Sequence, residues 1–432
     1  MDPSTIALIG FAAMFILIAL HVPIGVAMAV VGIAGFASMT GWNAALMLLA
    51  TEPASTMANL DLAVIPLFML MGSLAAAGGL ARDIFSTAEA LVGHRPGGLA
   101  ATTIVASAGF GAVCGSAVAT TATFGRVALP EMLSRGYSGG NAAGAVAAGG
   151  TLGIIVPPSS IMILYAVLTE GSVLKMFTAA LFPALLSVVL YLCAIWVVAR
   201  RSPASMPGTQ KLPVSERIKA IGQSWGAILL AVIVLGGIYS GIFTVNEAAA
   251  IGVVFAFLFA LGRGKLNRGT FVQVLSDASV ATVMIYVMVF GAMIFSYFIS
   301  LSGASERIIG GLDALGLPPL GVIFLLIVMY IVLGAFFDEV AAVVITLPFV
   351  LPIVLALGYD PIWWGILNVA VIGVGMLTPP IGINVMLLNA MRSDISLYAI
   401  YQGVFAFVLA DCARILILVL FPQVTLWLPS VL

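Results

Sequence analysis

Charged side chains are scarce in this chain. Only 8% of its 432 residues are charged and 62% are hydrophobic, whereas soluble globular domains carry about 25% charged residues. The mean hydropathy is +1.23. These values exclude a soluble domain and predict an all-α polytopic protein embedded in a lipid bilayer. The net charge is -1 and no basic run is long enough to follow a phosphate backbone, so no nucleic-acid partner is expected.

Cysteine and histidine are equally rare. Cys114, Cys193 and Cys412 lie in apolar surroundings without ligand spacing, so we predict buried small residues rather than disulfides or metal ligands. His21 and His94 are isolated in the sequence. An intramembrane enzyme would need a converging nucleophile and base or a metal cluster, and the chain offers neither. We therefore expect no catalytic activity.

Long apolar runs fill the chain instead. About 20 apolar residues are enough to cross a hydrocarbon core of about 30 Å, and ten such spans are predicted, five in each half. The first half contains 4–20, 22–39, 61–80, 138–169 and 172–199, and the second contains 225–240, 245–262, 280–300, 361–391 and 397–420. The mixed polar and apolar segments 44–58 and 267–279 are predicted to be interfacial arms.

The two halves share a pattern of turn residues. Leu129-Pro130, Gly136-Tyr137 and Pro157-Pro158 recur 222 positions later as Leu351-Pro352, Gly358-Tyr359 and Pro379-Pro380. This indicates an internal repeat of 1–200 and 223–432, joined by a linker at 201–222. Because each repeat has an odd number of spans, the second is expected to be inverted in the membrane. Inverted repeats with broken helices at the repeat interface are typical of secondary transporters.

Lysine and arginine set the predicted orientation, because short cytoplasmic loops retain them. Two basic segments lie on one face and assign it to the cytoplasm. They comprise Arg200, Arg201, Lys211, Arg217 and Lys219 in the linker, and Arg263, Lys265 and Arg268 in a later loop. Both termini then lie outside, and Arg95 and Arg135 lie inside.

Segment 97–135 is too long for one span and is interrupted by small and polar residues at Cys114-Gly115-Ser116. If both of its ends are cytoplasmic, the chain must enter the membrane and turn back. Backbone at that depth is tolerated only where protein or a water-filled cavity surrounds it, so the tip should face a site. Segment 318–357 repeats the pattern around Phe337-Asp338-Glu339. We predict two re-entrant helical hairpins that enter from opposite sides and meet tip to tip.

Each hairpin is followed by a helix interrupted by two prolines, in segments 138–169 and 361–391. Adjacent prolines remove amide donors and push the preceding residue out of the helical region, so the helix must break. Freed carbonyls and nearby hydroxyl oxygens suit a dehydrated hard cation. A symmetric pair of Na⁺ sites is predicted. The candidate sodium positions are Ser116, Gly153, Pro157, Asp338, Gly375, Thr378 and Pro379.

Asp338 is the strongest single candidate, because a carboxylate at mid-membrane depth is costly and usually functional. Its structural alternative is a helix cap at the hairpin tip. The predicted substrate contacts are Ser116, Thr120, Arg126, Ser159, Ser160 and Asn384. Arg126 also has the alternatives of pairing with an acid or reaching toward the cytoplasm. Asp411 and Arg414 are predicted to form a structural ion pair.

Several motifs resemble the large membrane subunit of tripartite ATP-independent periplasmic (TRAP) transporters, the DctM type of the ion transporter superfamily. They are Gly115-Ser116-Ala117 with Pro130 and Gly136-Tyr137, Gly153 to Ser159, Tyr239 to Ala250, and Thr378 to Asn384. The resemblance covers essentially the full length. In one departure, Cys114 replaces the serine that usually begins the first hairpin tip, so a side-chain oxygen is lost there.

The resemblance implies a sodium-coupled importer in a bacterial inner membrane, in which a transport domain moves like an elevator against a scaffold. It implies two partners: a periplasmic substrate-binding protein, and a small membrane subunit of about four spans, expected as a separate polypeptide. Typical substrates in such systems are organic acids. The chain has no G-x-x-x-x-G-K-[ST] loop, so no ATP is expected. A stand-alone sodium/dicarboxylate permease and, less favoured, a channel are the alternatives within transport.

Overall fold

The structure, a computed structural model, describes residues 3–209, 211, 213–314 and 316–431. Within these residues the regular elements are helices. The α-helices are α1 Pro3–Ala19, α2 Ile24–Thr40, α3 Trp42–Ala58, α4 Val64–Ala77, α5 Leu80–Val92, α6 Gly98–Cys114, α7 Ala117–Ser134, α8 Gly139–Ile155, α9 Ser160–Leu168, α10 Val173–Arg201, α11 Val214–Gln223, α12 Trp225–Ala231, α13 Gly237–Tyr239, α14 Val245–Gly262, α15 Arg268–Ser302, α16 Ala304–Ala314, α17 Pro319–Phe336, α18 Glu339–Ala356, α19 Pro361–Gly375, α20 Ile383–Met391, α21 Leu397–Leu420 and α22 Gln423–Val431. The all-α membrane fold is confirmed.

Among the described residues, eight helices are long and apolar enough to cross a membrane, or nine if the bent pair α11 and α12–α13 counts as one span. They include α17 and α18, the two arms of the second predicted hairpin. By length alone, each of these arms could cross the bilayer. Their turning back inside it stays a prediction.

Local chemistry explains where several helices begin. Thr244 accepts a hydrogen bond from the Glu247 amide at 3.3 Å, and the Glu247 carboxylate accepts one from the Thr244 amide at 2.8 Å. This reciprocal pair satisfies two amides that have no partner within α14. Asn59 likewise accepts from the Asp61 amide at 2.9 Å. Asn59 and the Thr244-Glu247 pair therefore cap the helices that follow them.

The two predicted interfacial arms differ. The first, α3, ends before Asn59 and a short 3₁₀ turn, Leu60–Ala63. The second does not exist as a separate element, because 267–279 forms the start of the 35-residue helix α15. The prediction of a second arm distinct from its span is therefore wrong. Residues 270–290 contain no glycine or proline, so the backbone has no reason to leave the helix near residue 279.

The amphipathic helices α5 and α16 were not predicted. Each follows a glycine in the left-handed conformation, Gly79 with φ +86° and Gly303 with φ +62°. Glycine adopts positive φ at little cost and commonly ends a helix in this way. α5 connects α4 to the first hairpin, and α16 connects α15 to the second. The two glycines therefore lie where the chain leaves a long apolar helix and turns toward a hairpin.

Helix packing follows a reciprocal pattern between the halves. α2 packs along α15, and α4 packs along α14. In the other group, α6 packs on α8 as α17 packs on α19. Exchange between halves also occurs at the centre, where α7 contacts α20 and α18 contacts α9. Each hairpin therefore touches the broken helix of both copies.

Two of the three cysteines were predicted wrongly. Cys114 is buried, but Cys193 and Cys412 are exposed. They lie on outward faces of α10 and α21. In a membrane protein the lipid-facing surface is as apolar as the interior, so apolar neighbours in the sequence do not indicate burial.

Candidate functional site

The first hairpin turns at Gly115-Ser116, called tip 1 here. α6 ends at Cys114, Gly115 adopts φ +67° and Ser116 is the N-cap of α7. The Ser116 carbonyl accepts hydrogen bonds from the Thr120 amide at 3.1 Å and from the Thr120 hydroxyl at 2.8 Å. The sequence prediction of a break at Cys114-Gly115-Ser116 is confirmed.

Tip 1 is held against the first broken helix. The Gly115 carbonyl accepts hydrogen bonds from the Ser160 amide at 3.2 Å and from the Ser160 hydroxyl at 2.8 Å. α8 ends at Ile155 and α9 begins at Ser160, so the break falls at the predicted prolines. The Pro157-Pro158 peptide bond is cis. The break therefore presents the start of α9 directly to the hairpin turn.

Gly153 makes this contact sterically possible. A Cβ atom at this position would lie 2.5 Å from the Ser116 carbonyl oxygen and 2.6 Å from the Thr120 hydroxyl. On the other side, a Cβ atom on Gly111 would lie 3.0 Å from the Cα of Gly153. α8 thus passes between the two arms of the first hairpin at backbone contact distance.

The second hairpin turns at Phe337-Asp338, and these two residues together with Glu339, the first residue of α18, are called tip 2 here. Asp338 is the N-cap of α18 and accepts a hydrogen bond from the Ala341 amide at 2.8 Å. The structure therefore shows the capping alternative for Asp338. Its role as a sodium ligand stays a prediction.

The second broken helix meets tip 2 as the first meets tip 1. The Gly382 amide donates to the Ala335 carbonyl at 3.1 Å, and the Pro379-Pro380 bond is also cis. A Cβ atom on Gly375 would lie 2.6 Å from the Cα of Gly334. The glycine-mediated contact between hairpin and broken helix is therefore present in both halves.

The two breaks differ in exposure. Pro157 and Pro158 are buried, whereas Pro379 and Pro380 are exposed beside a cavity of about 530 Å³ that Thr378 and Tyr401 help to line. The Tyr401 hydroxyl lies 2.8 Å from the Ile381 carbonyl and 3.2 Å from the Pro380 carbonyl and can donate to either. The Thr378 hydroxyl donates to the Gly375 carbonyl at 3.1 Å. The Gly375 carbonyl, which would accept from residue 379 in an unbroken helix, thus has another partner, and the Met376 carbonyl accepts from the Asn384 amide at 3.3 Å.

The two tips touch each other. The Ser116 hydroxyl donates to the Glu339 carboxylate at 3.3 Å, across 223 positions of sequence. Glu339 is only 4% exposed, and its second carboxylate oxygen has no hydrogen-bond partner among the described residues. The sequence pattern pointed to Asp338 and did not indicate a role for Glu339. Successive helix residues point about 100° apart, so the cap residue faces its own helix end while the next side chain enters the interface.

Asn384 also joins the two halves. Its amide nitrogen donates to the Ala147 carbonyl of α8 at 3.2 Å, while its side-chain oxygen is buried without a partner among the described residues. The Ser159 hydroxyl is buried and unpartnered in the same sense. Of the predicted site residues, Ser116, Thr120, Gly153 and Ser160 are direct neighbours around tip 1.

Comparison with known proteins gives the family. The model for the tripartite ATP-independent periplasmic transporter, DctM component, matches residues 11–424. The chain belongs to this family. It is 33% identical over 383 residues to the C4-dicarboxylate TRAP transporter large permease DctM of Pseudomonas aeruginosa, covering 88% of this chain and 89% of that one. It is 29% identical to the sialic acid TRAP transporter large permease SiaM of Vibrio cholerae, covering 86% and 87%.

A solved structure supports the fold of this TRAP permease. The chain resembles the YdaH transporter of Alcanivorax borkumensis with a TM-score of 0.59 over 90% of each chain, at 13% sequence identity. The relatives are transporters rather than enzymes. This TRAP large permease is a multi-pass protein of the bacterial inner membrane that takes up a solute together with a substrate-binding protein. The family implies a small membrane subunit as well.

Arg126 lies apart from the tips of the TRAP permease. It is an exposed residue of α7, ten positions beyond Ser116 and therefore about 15 Å along the helix axis. Neighbouring Gly125 packs against Leu388 and Met391 of α20. No ion pair joins Arg126 to an acid within the part of the chain that the structure describes. The predicted alternative of an acidic partner is thus not seen there.

The predicted ion pair of Asp411 and Arg414 is confirmed, with a distance of 3.0 Å and both side chains almost fully buried. The Tyr191 hydroxyl donates to Asp411 at 2.8 Å and lies 2.9 Å from the Thr151 hydroxyl on α8. Arg414 donates to the Ser187 hydroxyl at 2.8 Å. The network therefore ties α10 and α21 to the helix that leads into the first break.

Proposed function

We propose that this TRAP permease is a sodium-coupled importer of a small organic acid. The observation that carries the proposal is the contact between the two tips, where Ser116 meets a buried Glu339 with one unpartnered oxygen. An isolated carboxylate is costly to bury. A Na⁺ ion near the tips would offset this charge, so sodium binding and closure of the tips would favour each other.

The donor set suits Na⁺ as a coupling ion. Within the described residues no three histidine, cysteine or acidic side chains cluster as a transition-metal site would require. The unpartnered oxygens of Glu339 and Asn384 are available as ligands. The carbonyls at Ser116 and at the second break and the Thr378 hydroxyl form hydrogen bonds in this conformation and would exchange or share those partners on binding the ion. Hard cations prefer such oxygen ligands. Gly153 and Gly375 would contribute backbone only.

A carboxylate is the proposed substrate group. The relatives named above are described as transporting C4-dicarboxylates and sialic acid, both of which are acids. Helices α9 and α20 begin at the two breaks, and their N-termini carry partial positive charge that attracts an anion. Ser159, Ser160 and Asn384 lie at these starts.

We assign the moving part to the hairpins, the broken helices, α10 and α21, which pack on one another. The scaffold comprises α1–α4 together with α14 and α15. α5 and α16 connect the two groups and begin at the left-handed glycines. An elevator displacement of the first group against the second would carry both tips together, which agrees with their direct contact.

Sodium dependence tests the coupling. The permease, the small subunit and the substrate-loaded binding protein are reconstituted in proteoliposomes. Uptake is expected to fall to background when external Na⁺ is replaced by K⁺ at equal ionic strength, because the gradient supplies the energy. Uptake that continues unchanged without Na⁺ and without a sodium gradient would refute the coupling.

A matched pair of variants adds residue resolution to this assay. Glu339→Gln keeps the shape of the side chain and removes its charge, so the Na⁺ concentration for half-maximal uptake should rise about tenfold, corresponding to about 1.4 kcal/mol of lost ion binding. Glu216→Gln removes the same charge from an exposed position on α11 and should leave the value unchanged. If Glu339→Gln leaves the Na⁺ concentration for half-maximal uptake unchanged, Glu339 does not take part in ion binding.

Arg126 lies about 15 Å along α7 from tip 1, so we propose that it contacts the substrate carboxylate on its way to the helix starts rather than when the substrate is bound there. A lost hydrogen bond to a charged group corresponds to about 1.5–3 kcal/mol, so Arg126→Gln should raise the apparent KM for the loaded binding protein at least tenfold, with a smaller change in maximal rate. Arg126→Lys should recover part of the affinity. Arg268→Gln, which removes an exposed charge elsewhere, is the control. An unchanged KM for Arg126→Gln would eliminate this contact.

A further inference from the structure

A cavity of about 560 Å³ lies between the start of α6 and the end of α10, away from the tips. Its rim carries the exposed Arg95 and Arg200, and its wall is formed mainly by apolar residues of α10, including Leu192, Ile195 and Trp196. None of the residues that line it is acidic. The cavity is therefore positively charged at one end and apolar along its length.

The two rim arginines have no acidic partner in the part of the chain that the structure describes. Other arginines of the chain form ion pairs, such as Arg135 with Glu131 at 2.7 Å and Arg263 with Asp83 at 2.6 Å. Among the described residues no ion pair involves Arg95 or Arg200. Arg200 instead lies over the ring of Trp196, 3.9 Å from its centroid. This contact holds the guanidinium at the mouth of the cavity.

Further positive charge surrounds the rim. Desolvation and then the charges of Arg217, Arg95 and Lys211 lower the pKa of His94 from its ordinary value. The N-terminus of α6, which begins at Gly98 in the cavity wall, adds the positive end of a 17-residue helix. An anionic group at the rim would be attracted by all of these charges.

The apolar part of the cavity continues down the membrane-facing surface. On α10, the exposed residues Trp196, Val189 and Leu185 follow Arg200 along one helix face. On α6, Ala101 lines the cavity and Val105, one turn further, is 38% exposed. From Arg200 to Leu185 this stripe is about 22 Å long at 1.5 Å per residue. An acyl chain could cover it, whereas a free phosphate ion would make no contact with this apolar surface.

We propose that this cavity binds one anionic phospholipid of the cytoplasmic leaflet, with its phosphate between Arg95 and Arg200 and an acyl chain along α6 and α10. Basic pockets between membrane helices on the cytoplasmic side are suited to such headgroups. The loop 93–97 enters the first hairpin, and the Gly97 amide donates to the Met206 carbonyl of the linker at 2.9 Å. A lipid bound here contacts the junction of hairpin, linker and α10.

Lipid competition tests the site. The full-length permease, purified with its small subunit, is offered equal amounts of phosphatidylglycerol and phosphatidylcholine with identical acyl chains, and bound lipid is counted by native mass spectrometry. One phosphatidylglycerol should bind in preference. The double variant Arg95→Gln, Arg200→Gln should reduce this preference about tenfold or more, since each basic contact adds to headgroup attraction.

Two further variants distinguish the site from diffuse attraction and from misfolding. Lys265→Gln with Arg268→Gln removes two exposed charges from another loop and should preserve the preference. Ala101→Phe fills the cavity without changing charge and should reduce binding of both lipids at least threefold. The proposal is overturned if the preference survives loss of both rim arginines in a monodisperse protein, if the loop variant loses it equally, or if Ala101→Phe binds both lipids normally.

Discussion

Gly153→Ala and Gly375→Ala are each expected to reduce the rate of uptake by roughly 5- to 150-fold, the range that corresponds to about 1–3 kcal/mol of strain. At Gly153 the added methyl would lie 2.5 Å from the Ser116 carbonyl. At Gly375 it would lie 2.6 Å from the backbone of Gly334. In both cases the obstacle is backbone, which cannot move aside as a flexible side chain can.

The strain in these variants falls on the contact between hairpin and broken helix. Relief requires the tip to withdraw from the break, and this displaces the oxygen atoms proposed to bind Na⁺. The initial rate of uptake should therefore fall strongly, while the unfolding temperature of the purified variant changes little. The measurements are initial uptake rates in proteoliposomes, and elution profile and unfolding temperature for the purified variants.

Gly373→Ala is the matched control for the glycine variants. It adds the same methyl to the same buried helix, α19, but its nearest neighbour would be the Cβ of Thr151 at 3.6 Å, an ordinary van der Waals distance. Uptake by this variant should be close to that of the unaltered protein. Equal loss in Gly373→Ala and Gly375→Ala would show that α19 tolerates no added methyl anywhere, contradicting a specific role for the close contact.

Arg414→Met is expected to lower the free energy of unfolding by about 3–5 kcal/mol, because it leaves the buried Asp411 carboxylate without its cation. The pair is joined at 3.0 Å with side chains only 2% and 1% exposed. Arg414 also donates to the Ala370 carbonyl at 3.0 Å, so α19 loses a contact at the same time. Equilibrium unfolding in mixed micelles measures the change.

The double variant Asp411→Leu, Arg414→Met should recover most of the stability lost by Arg414→Met alone, since a buried pair replaced by apolar groups is often close to neutral. A double variant as unstable as the single one would assign the loss to packing rather than to the unpaired charge. Arg392→Met provides a control. It breaks an exposed pair with Asp394 and should leave the unfolding temperature unchanged.

Uptake by the double variant also shows whether the network of Tyr191, Asp411 and Arg414 only stabilises the fold or also positions the first break. Tyr191 bridges Asp411 to Thr151 on the first broken helix. If the stabilised double variant folds normally yet transports slowly, the network positions the break. If it transports at the normal rate, the network serves stability alone.

The positions of the helix breaks were predictable from sequence because their causes are local. Paired prolines cannot continue a helix wherever they lie, and both breaks fall where the sequence places them. Tip 1 was equally predictable from Gly115, whose left-handed conformation suits glycine. The continuation of segment 267–279 was not predictable. Its composition indicated a separate interfacial helix, whereas the structure shows it as the first part of the continuous helix α15.

The acidic residue at the interface illustrates the limit. Asp338 and Glu339 are neighbours of similar chemistry, and the sequence offers no way to rank their burial. Asp338 caps its own helix, a local interaction. Glu339 is buried because Ser116, from the other half of the chain, lies against it.

By itself, the sequence determined a membrane protein with helix breaks at the paired prolines and turns at Gly115 and Asp338. These features follow from hydrophobicity and from backbone restrictions that act within a few residues. Only the tertiary structure decided that the tips touch through Glu339, that Tyr191 links the buried ion pair to the first break, and that Arg95 and Arg200 share a cavity. Each of these depends on helices distant in sequence packing side by side, which no local pattern encodes.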